Sequence, residues 1–147
     1  MKKIGLLLML ALMTVLFTAC DSGDGNKTEA SYKDGTYTGR SSDFEEDESG
    51  NGSGYGTVEI TIENNKITAC EFKMYELDGT LKDENYGADL SKENRLKAQK
   101  AVQSAEKYSD MLVSRGSLSE VDVISGATIS FSEFKEAVEN ALKSAEE

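Results

Sequence analysis

Histidine is missing from all 147 residues. Its absence removes the commonest general base, the commonest transition-metal ligand and every Ser-His or Cys-His catalytic pair. Cysteine is nearly as scarce, with Cys20 and Cys70 the only two. If Cys20 is consumed by N-terminal processing, Cys70 has no partner and no disulfide framework organises the fold. Positive charge is also in short supply, 16 Lys and Arg against 27 Asp and Glu. Removing residues 1–19 takes away Lys2 and Lys3 and no acid, leaving 14 basic against 27 acidic groups and a net charge of −13. Such a surface disfavours nucleic acid and anionic lipid, and it suits solubility or a basic partner. No internal repeat is visible. The acidic stretch "SDFEEDESGNGSG" within residues 41–54 lacks the D-x-[DN]-x-[DN]-G spacing of a calcium loop, so it reads as a solvated loop.

What is present begins with "MKKIGLLLMLALMTVLFTAC". Basic Lys2 and Lys3, an apolar run from Ile4 to Phe17 and small residues before Cys20 form the layout of an export signal. The run falls short of the ~20 residues that span a bilayer. Thr18-Ala19-Cys20 resembles a bacterial lipobox, in which cleavage before the cysteine leaves Cys20 as a lipidated N-terminus. An uncleaved anchor and a simple secretory signal are the alternatives. The expected organisation is a signal peptide over residues 1–19, a small polar tether over 20–31, and one domain over 32–147 on the extracytoplasmic face of the cell membrane.

Within the domain, Asp34-Gly35 reads as a turn before a short strand at Thr36–Thr38. Val58, Ile60 and Ile62 alternate with Thr and Glu, Asn64-Asn65 supplies residues tolerant of positive φ, and Cys70, Phe72 and Met74 alternate in turn. That pattern predicts a β-hairpin with one buried face, with Cys70 a core residue rather than a reactive thiol. Residues 79–90 are turn-rich. From Ser91, apolar residues including Ala98, Ala101, Ala105, Tyr108 and Leu112 recur at helical spacing up to Arg115-Gly116. Val121–Ile124 is a strand candidate. A last helix is expected after Ser130, capped by that serine with Glu133 at capping-box spacing and Phe134, Val138 and Leu142 as its apolar stripe. This order predicts an α+β domain, a small antiparallel sheet with helices packed on one side.

The chemistry concentrates in "DVISGATIS", residues 122–130. A glycine turn followed by the free N–H groups of a helix start makes an anion site suited to phosphate. Gly126 permits close backbone approach, Ala127 keeps the space small, and Ser125 and Thr128 add hydroxyls. From the residue types alone, a structural turn with a Ser130 cap is the preferred alternative.

Asp122-Val123-Ile124-Ser125-Gly126-Ala127-Thr128 resembles the D-x-x-S/T-G-A-T signature of the FMN-binding domain family. The family's D-G-T-Y-x-G opening is matched by Asp34 to Gly39, and its Gly-Tyr-Gly before a hairpin by Gly54-Tyr55-Gly56. Phe131 departs from the pattern, which often has a serine there. The resemblance implies FMN joined by a phosphoester bond to Thr128, placed there by an FAD:protein FMN transferase that recognises Asp122. It also implies cofactor contacts from Ser125, Gly126, Ala127, Gly56 and Tyr55. A threonine hydroxyl is a poor nucleophile without a base, so Thr128 is cast as the substrate of another enzyme and the protein as no enzyme itself. By resemblance the protein is a lipid-anchored electron carrier between a quinol- or NADH-linked membrane donor and an extracellular acceptor such as ferric iron. Two alternatives stay open: a flavin domain serving a dedicated extracytoplasmic reductase, and a cofactor-free binding module whose acidic loop recruits a basic partner.

Overall fold

The computed structural model describes residues 31–48 and 52–146. The expected signal peptide, Cys20 and the expected tether up to residue 30 lie outside the described residues. Three antiparallel strands form one sheet in the order β1-β2-β3: β1 is Gly35–Arg40, β2 is Tyr55–Glu63 and β3 is Lys66–Tyr75. The expected short strand at Thr36–Thr38 is thus the middle of β1. Asn64 and Asn65 turn the hairpin with φ of 52° and 60°, the left-handed pair that matches the twist of two joined strands.

The register slips by one residue after this turn. Ile62 faces Ile67 but Thr61 faces Ala69, so Thr68 is an extra residue in β3. This bulge reconciles odd-numbered Ile67 with even-numbered Phe72 and Met74, and all three are buried with Val58, Ile60 and Ile62. Cys70 sits half-buried beside this core. Burial pushes its thiol up to about 11, against the smaller opposing effect of a hydrogen bond with Ser109, so it is a protonated packing residue at neutral pH.

Two helices cover that face. α1, Lys92–Arg115, starts where Ser91 Oγ accepts from the Asn94 N–H at 3.3 Å. It ends at Gly116, whose φ of 74° lets its N–H reach the Leu112 carbonyl at 2.9 Å. Ser109 of α1 accepts the Phe72 N–H at 3.0 Å, which occupies a donor on the free edge of β3. α2, Thr128–Ala145, buries Phe134, Ala137, Val138, Ala141 and Ala145 completely. Phe134 packs edge-on to Phe72 at 5.2 Å and stacks with Tyr108 of α1 at 5.4 Å, joining sheet and both helices at one point.

α2 approaches β1 at backbone distance. A Cβ on Gly39 would overlap the Ala137 carbonyl oxygen and lie 2.6 Å from the Ala141 nitrogen. The alanines of α2 and the missing side chain of Gly39 are therefore one packing device. At the far end of α2, the Lys33 N–H donates to the Ala145 carbonyl at 2.9 Å, and Tyr32 bridges Glu146.

Two expectations are corrected. Val121–Ile124 is not a strand: it follows a single 3₁₀ turn, Leu118–Glu120, and joins no ladder. Val121 is buried as a strand residue would be, yet the Ile124 N–H goes to a tyrosine hydroxyl instead of a neighbouring strand. The last helix also starts earlier than the capping-box spacing suggests. Phe131 already donates to the Ala127 carbonyl at 3.0 Å, so Ala127 is the N-cap and Ser130 and Glu133 lie inside α2, both buried.

Candidate functional site

Residues 124–127 form a β-turn, closed by the Ala127 N–H donating to the Ile124 carbonyl at 3.0 Å. Gly126, third in the turn, has a φ of 77°, the conformation a type II turn demands of that position. The turn is held from beneath by Tyr108, a fully buried residue of α1. Its hydroxyl accepts from the Ile124 N–H at 3.0 Å and donates to the Ala127 carbonyl at 3.1 Å. α2 begins immediately afterwards, and Ala127 has no side-chain atom to cap its first turn. The leading N–H groups of α2 thus have neither an intrahelical acceptor nor a cap from Ala127, the arrangement that suits an anion.

Thr128, the first residue of α2, is exposed. Gly126, Ala127 and Thr128 line one end of a cavity of about 1000 Å³. Lys100 of α1 lies over the turn, with its Nζ 2.9 Å from where a Cβ of Gly126 would stand. A side chain at position 126 would displace the ammonium that leans on the turn.

The remaining sequence candidates are distributed differently. Ser125 is exposed on the turn but does not line the cavity. Asp122 pairs with Arg115 at 3.0 Å on the surface, tying the segment to the end of α1. Tyr55 and Gly56 are not brought to the cavity. Tyr55 stacks on Tyr75 at 5.4 Å with the Arg40 guanidinium 3.8 Å above its ring. Gly56 is a buried strand residue whose N–H goes to Ser41 Oγ at 2.9 Å, and a Cβ there would overlap the Phe72 ring.

The other wall of the cavity comes from residues the sequence did not single out. The turn-rich stretch 79–90 lines it, held by Gln99 of α1, whose Nε2 donates to the Tyr86 carbonyl at 2.7 Å. Within it, Lys82 is buried, with Nζ 5.1 Å over the Tyr86 ring. Burial lowers its ammonium's pKa, which Glu133 and then Glu76 partly restore. Glu133 reaches the same cavity from α2, and burial raises its carboxyl pKa against the opposing pull of Lys82. No local pattern marks Lys82, and the helical spacing that marks Tyr108 predicts its burial but not its hold on the turn, because the partners of both are distant in sequence. Glu133 did carry a signal, an acid three residues after a serine, but it pointed to a cap.

A roomy cavity with mixed polar and apolar walls, reaching an uncapped helix start with a lysine near the turn, is an arrangement that suits a phosphate-bearing ligand. The comparison with known families is specific. The sequence model of the FMN-binding domain matches residues 52–143, well over half of the chain, and the protein belongs to that family. FMN is accordingly its cofactor, and the protein is a flavoprotein. The crystal structure of the CPE2226 protein from Clostridium perfringens is similar in fold, with a TM-score of 0.57 at 24% identity over 78% of this chain and 88% of that one. No curated protein is similar enough to count as a relative.

Proposed function

We propose that this protein is a lipid-anchored, extracytoplasmic electron carrier whose FMN is joined through its phosphate to Thr128. The observation that carries the reading is the position of Thr128: exposed, first in α2, and at the rim of the cavity beside the Gly126 turn. The residues present fit the group. The open N–H groups of α2 and the Lys100 ammonium suit a phosphate, and the cavity's size suits a fused ring. The flavin supplies the electron chemistry when bound.

The chain's own residues position and insulate. Tyr108 fixes the turn, α2 fixes Thr128, and residues 80–83 and 85–90 supply part of the cavity wall. Attachment is the work of an FAD:protein FMN transferase, which activates the Thr128 hydroxyl and releases AMP from FAD. Asp122, exposed near the turn, is available to that enzyme despite its surface pairing with Arg115. The electron donor is a quinol- or NADH-linked membrane enzyme, and the acceptor an extracellular oxidant such as ferric iron. A covalent link suits this setting because a dissociating cofactor would be diluted away. The protein performs no turnover of its own.

The test is the intact mass of the mature chain, residues 20–147 with Cys20→Ser to keep it free of lipid, co-expressed in exported form with an FMN transferase. The expected gain is one FMN less one water, abolished in Thr128→Ala. If a control substrate is modified and this chain gains no mass, covalent attachment is wrong.

A further inference from the structure

The inner part of the cavity holds two buried charged side chains that no group among the described residues neutralises by direct contact. Glu133 is only 5% exposed, and its Oε1 has no hydrogen-bond partner among those residues. Lys82 is 7% exposed, and its ammonium meets the face of Tyr86. Both line the cavity that Thr128 opens into. A Cβ at Gly54 would overlap the Tyr75 carbonyl oxygen first and the Lys82 ammonium next, so the ammonium lies close against the backbone there. Burying an acid and a base without a direct ion pair is costly, and the fold gains no packing from the polar atoms themselves. Such an arrangement is accounted for when a ligand completes it.

The chemistry of that ligand follows from the two groups. An unpartnered carboxylate oxygen needs an N–H donor, and a nearby ammonium needs an acceptor. A ring N–H flanked by carbonyls, an imide edge, offers both in one plane. The pyrimidine ring of a flavin has such an edge.

We infer that Glu133 and Lys82 read the imide edge of the flavin, Glu133 Oε1 accepting from the ring N3–H and Lys82 Nζ donating to an adjacent carbonyl. The inference rests on the flavin reading of the cavity but not on the covalent bond at Thr128. It makes these two residues determinants of which ring the domain accepts.

The experiment uses the mature Cys20→Ser chain made without transferase, with riboflavin and N3-methylriboflavin as probes. Neither carries a phosphate, so the turn at Gly126 does not contribute. Binding is read from flavin fluorescence. Wild type should bind riboflavin about tenfold or more tightly than the methyl derivative, the worth of one hydrogen bond to a charged group. In Glu133→Leu the ratio should fall to about twofold, because the N–H no longer has an acceptor. Lys82→Met should weaken both probes alike and leave the ratio unchanged.

Equal binding of the two probes to wild type overturns the inference, even if Glu133→Leu does not fold. So does a ratio that persists in a folded Glu133→Leu, which would mark a steric effect of the methyl group. Absence of riboflavin binding, with FMN attached normally at Thr128 in the mass experiment, overturns this inference and leaves the attachment standing. Discriminating binding without attachment does the reverse.

Discussion

Tyr108→Phe isolates the hydroxyl that buttons the Thr128 turn to α1. The ring stays, and with it the contacts to Phe131 and Phe134, each at 5.4 Å between centroids. The lost atoms are one acceptor for the Ile124 N–H and one donor to the Ala127 carbonyl. The carbonyl keeps a second partner in the Phe131 N–H, so it is weakened but not orphaned. Ile124 is only half-buried, so water can reach part of the vacated site. Two hydrogen bonds at about 1 kcal/mol each, with little added desolvation penalty, give a loss of about 2 kcal/mol. For a folded unit of this size, that lowers the Tm by roughly 8 °C. The assay is urea and thermal unfolding of the mature Cys20→Ser chain, with Tyr37→Phe as the control. Tyr37 gives one hydrogen bond, to the Lys33 carbonyl in an exposed setting, and its loss should cost less than about 0.5 kcal/mol. If Tyr108→Phe is no less stable than Tyr37→Phe, the hydroxyl does not hold the turn. With the turn loosened, attachment of FMN by the transferase should also slow.

Gly39→Ala should be among the most destabilising single-methyl changes, about 3 kcal/mol by denaturant unfolding, because its Cβ meets the backbone of α2. An unchanged midpoint would mean that α2 does not sit this close to β1. Glu133→Gln should stabilise the flavin-free protein at neutral pH, with a gain that depends on acidity. Burial raises the Glu133 carboxyl above its ordinary pKa, so above pH 4.5 the unfolded chain releases that proton more readily than the folded one. Wild type therefore loses stability relative to the glutamine variant as pH rises from about 4.5 through the raised value. Unfolding midpoints of both proteins at acidic and neutral pH check the sign, and a gap that narrows towards neutrality refutes it.

Much of the fold was legible in the chain because its signals are local. Alternation marked the hairpin, Asn64-Asn65 its turn, and Ser91 and Gly116 the ends of α1. The bulge at Thr68 was not legible, since it becomes necessary only when Ile67 and Phe72 must share a face. Val121–Ile124 misled because three apolar residues in four read as a strand, whereas only Val121 is buried, Val123 is exposed, and a tyrosine hydroxyl rather than a ladder takes the Ile124 N–H. Beside Thr128, the turn was readable from a few consecutive residues. The opposite wall was not, because Lys82, Tyr86 and Glu133 converge from a turn-rich stretch and a helix, the first and last of them 51 positions apart. Tyr55 and Gly56, which a motif placed near the cofactor, take part in the aromatic and backbone packing of β2.

The latch between Lys33 and Ala145 sets a direction for the whole domain. Tyr32 and Lys33 lie beside the last turn of α2, whereas Thr128 is its first residue. Eighteen helical residues at 1.5 Å each separate the two by about 27 Å. Were the domain held at a membrane through the tether expected over residues 20–31, α2 would act as a boom, with its base near the mooring and its tip, Thr128, at the far end. A donor in the bilayer would then have to meet a tip set well away from that mooring, and changing the length of the tether would alter this encounter more than one with an acceptor in the surrounding medium.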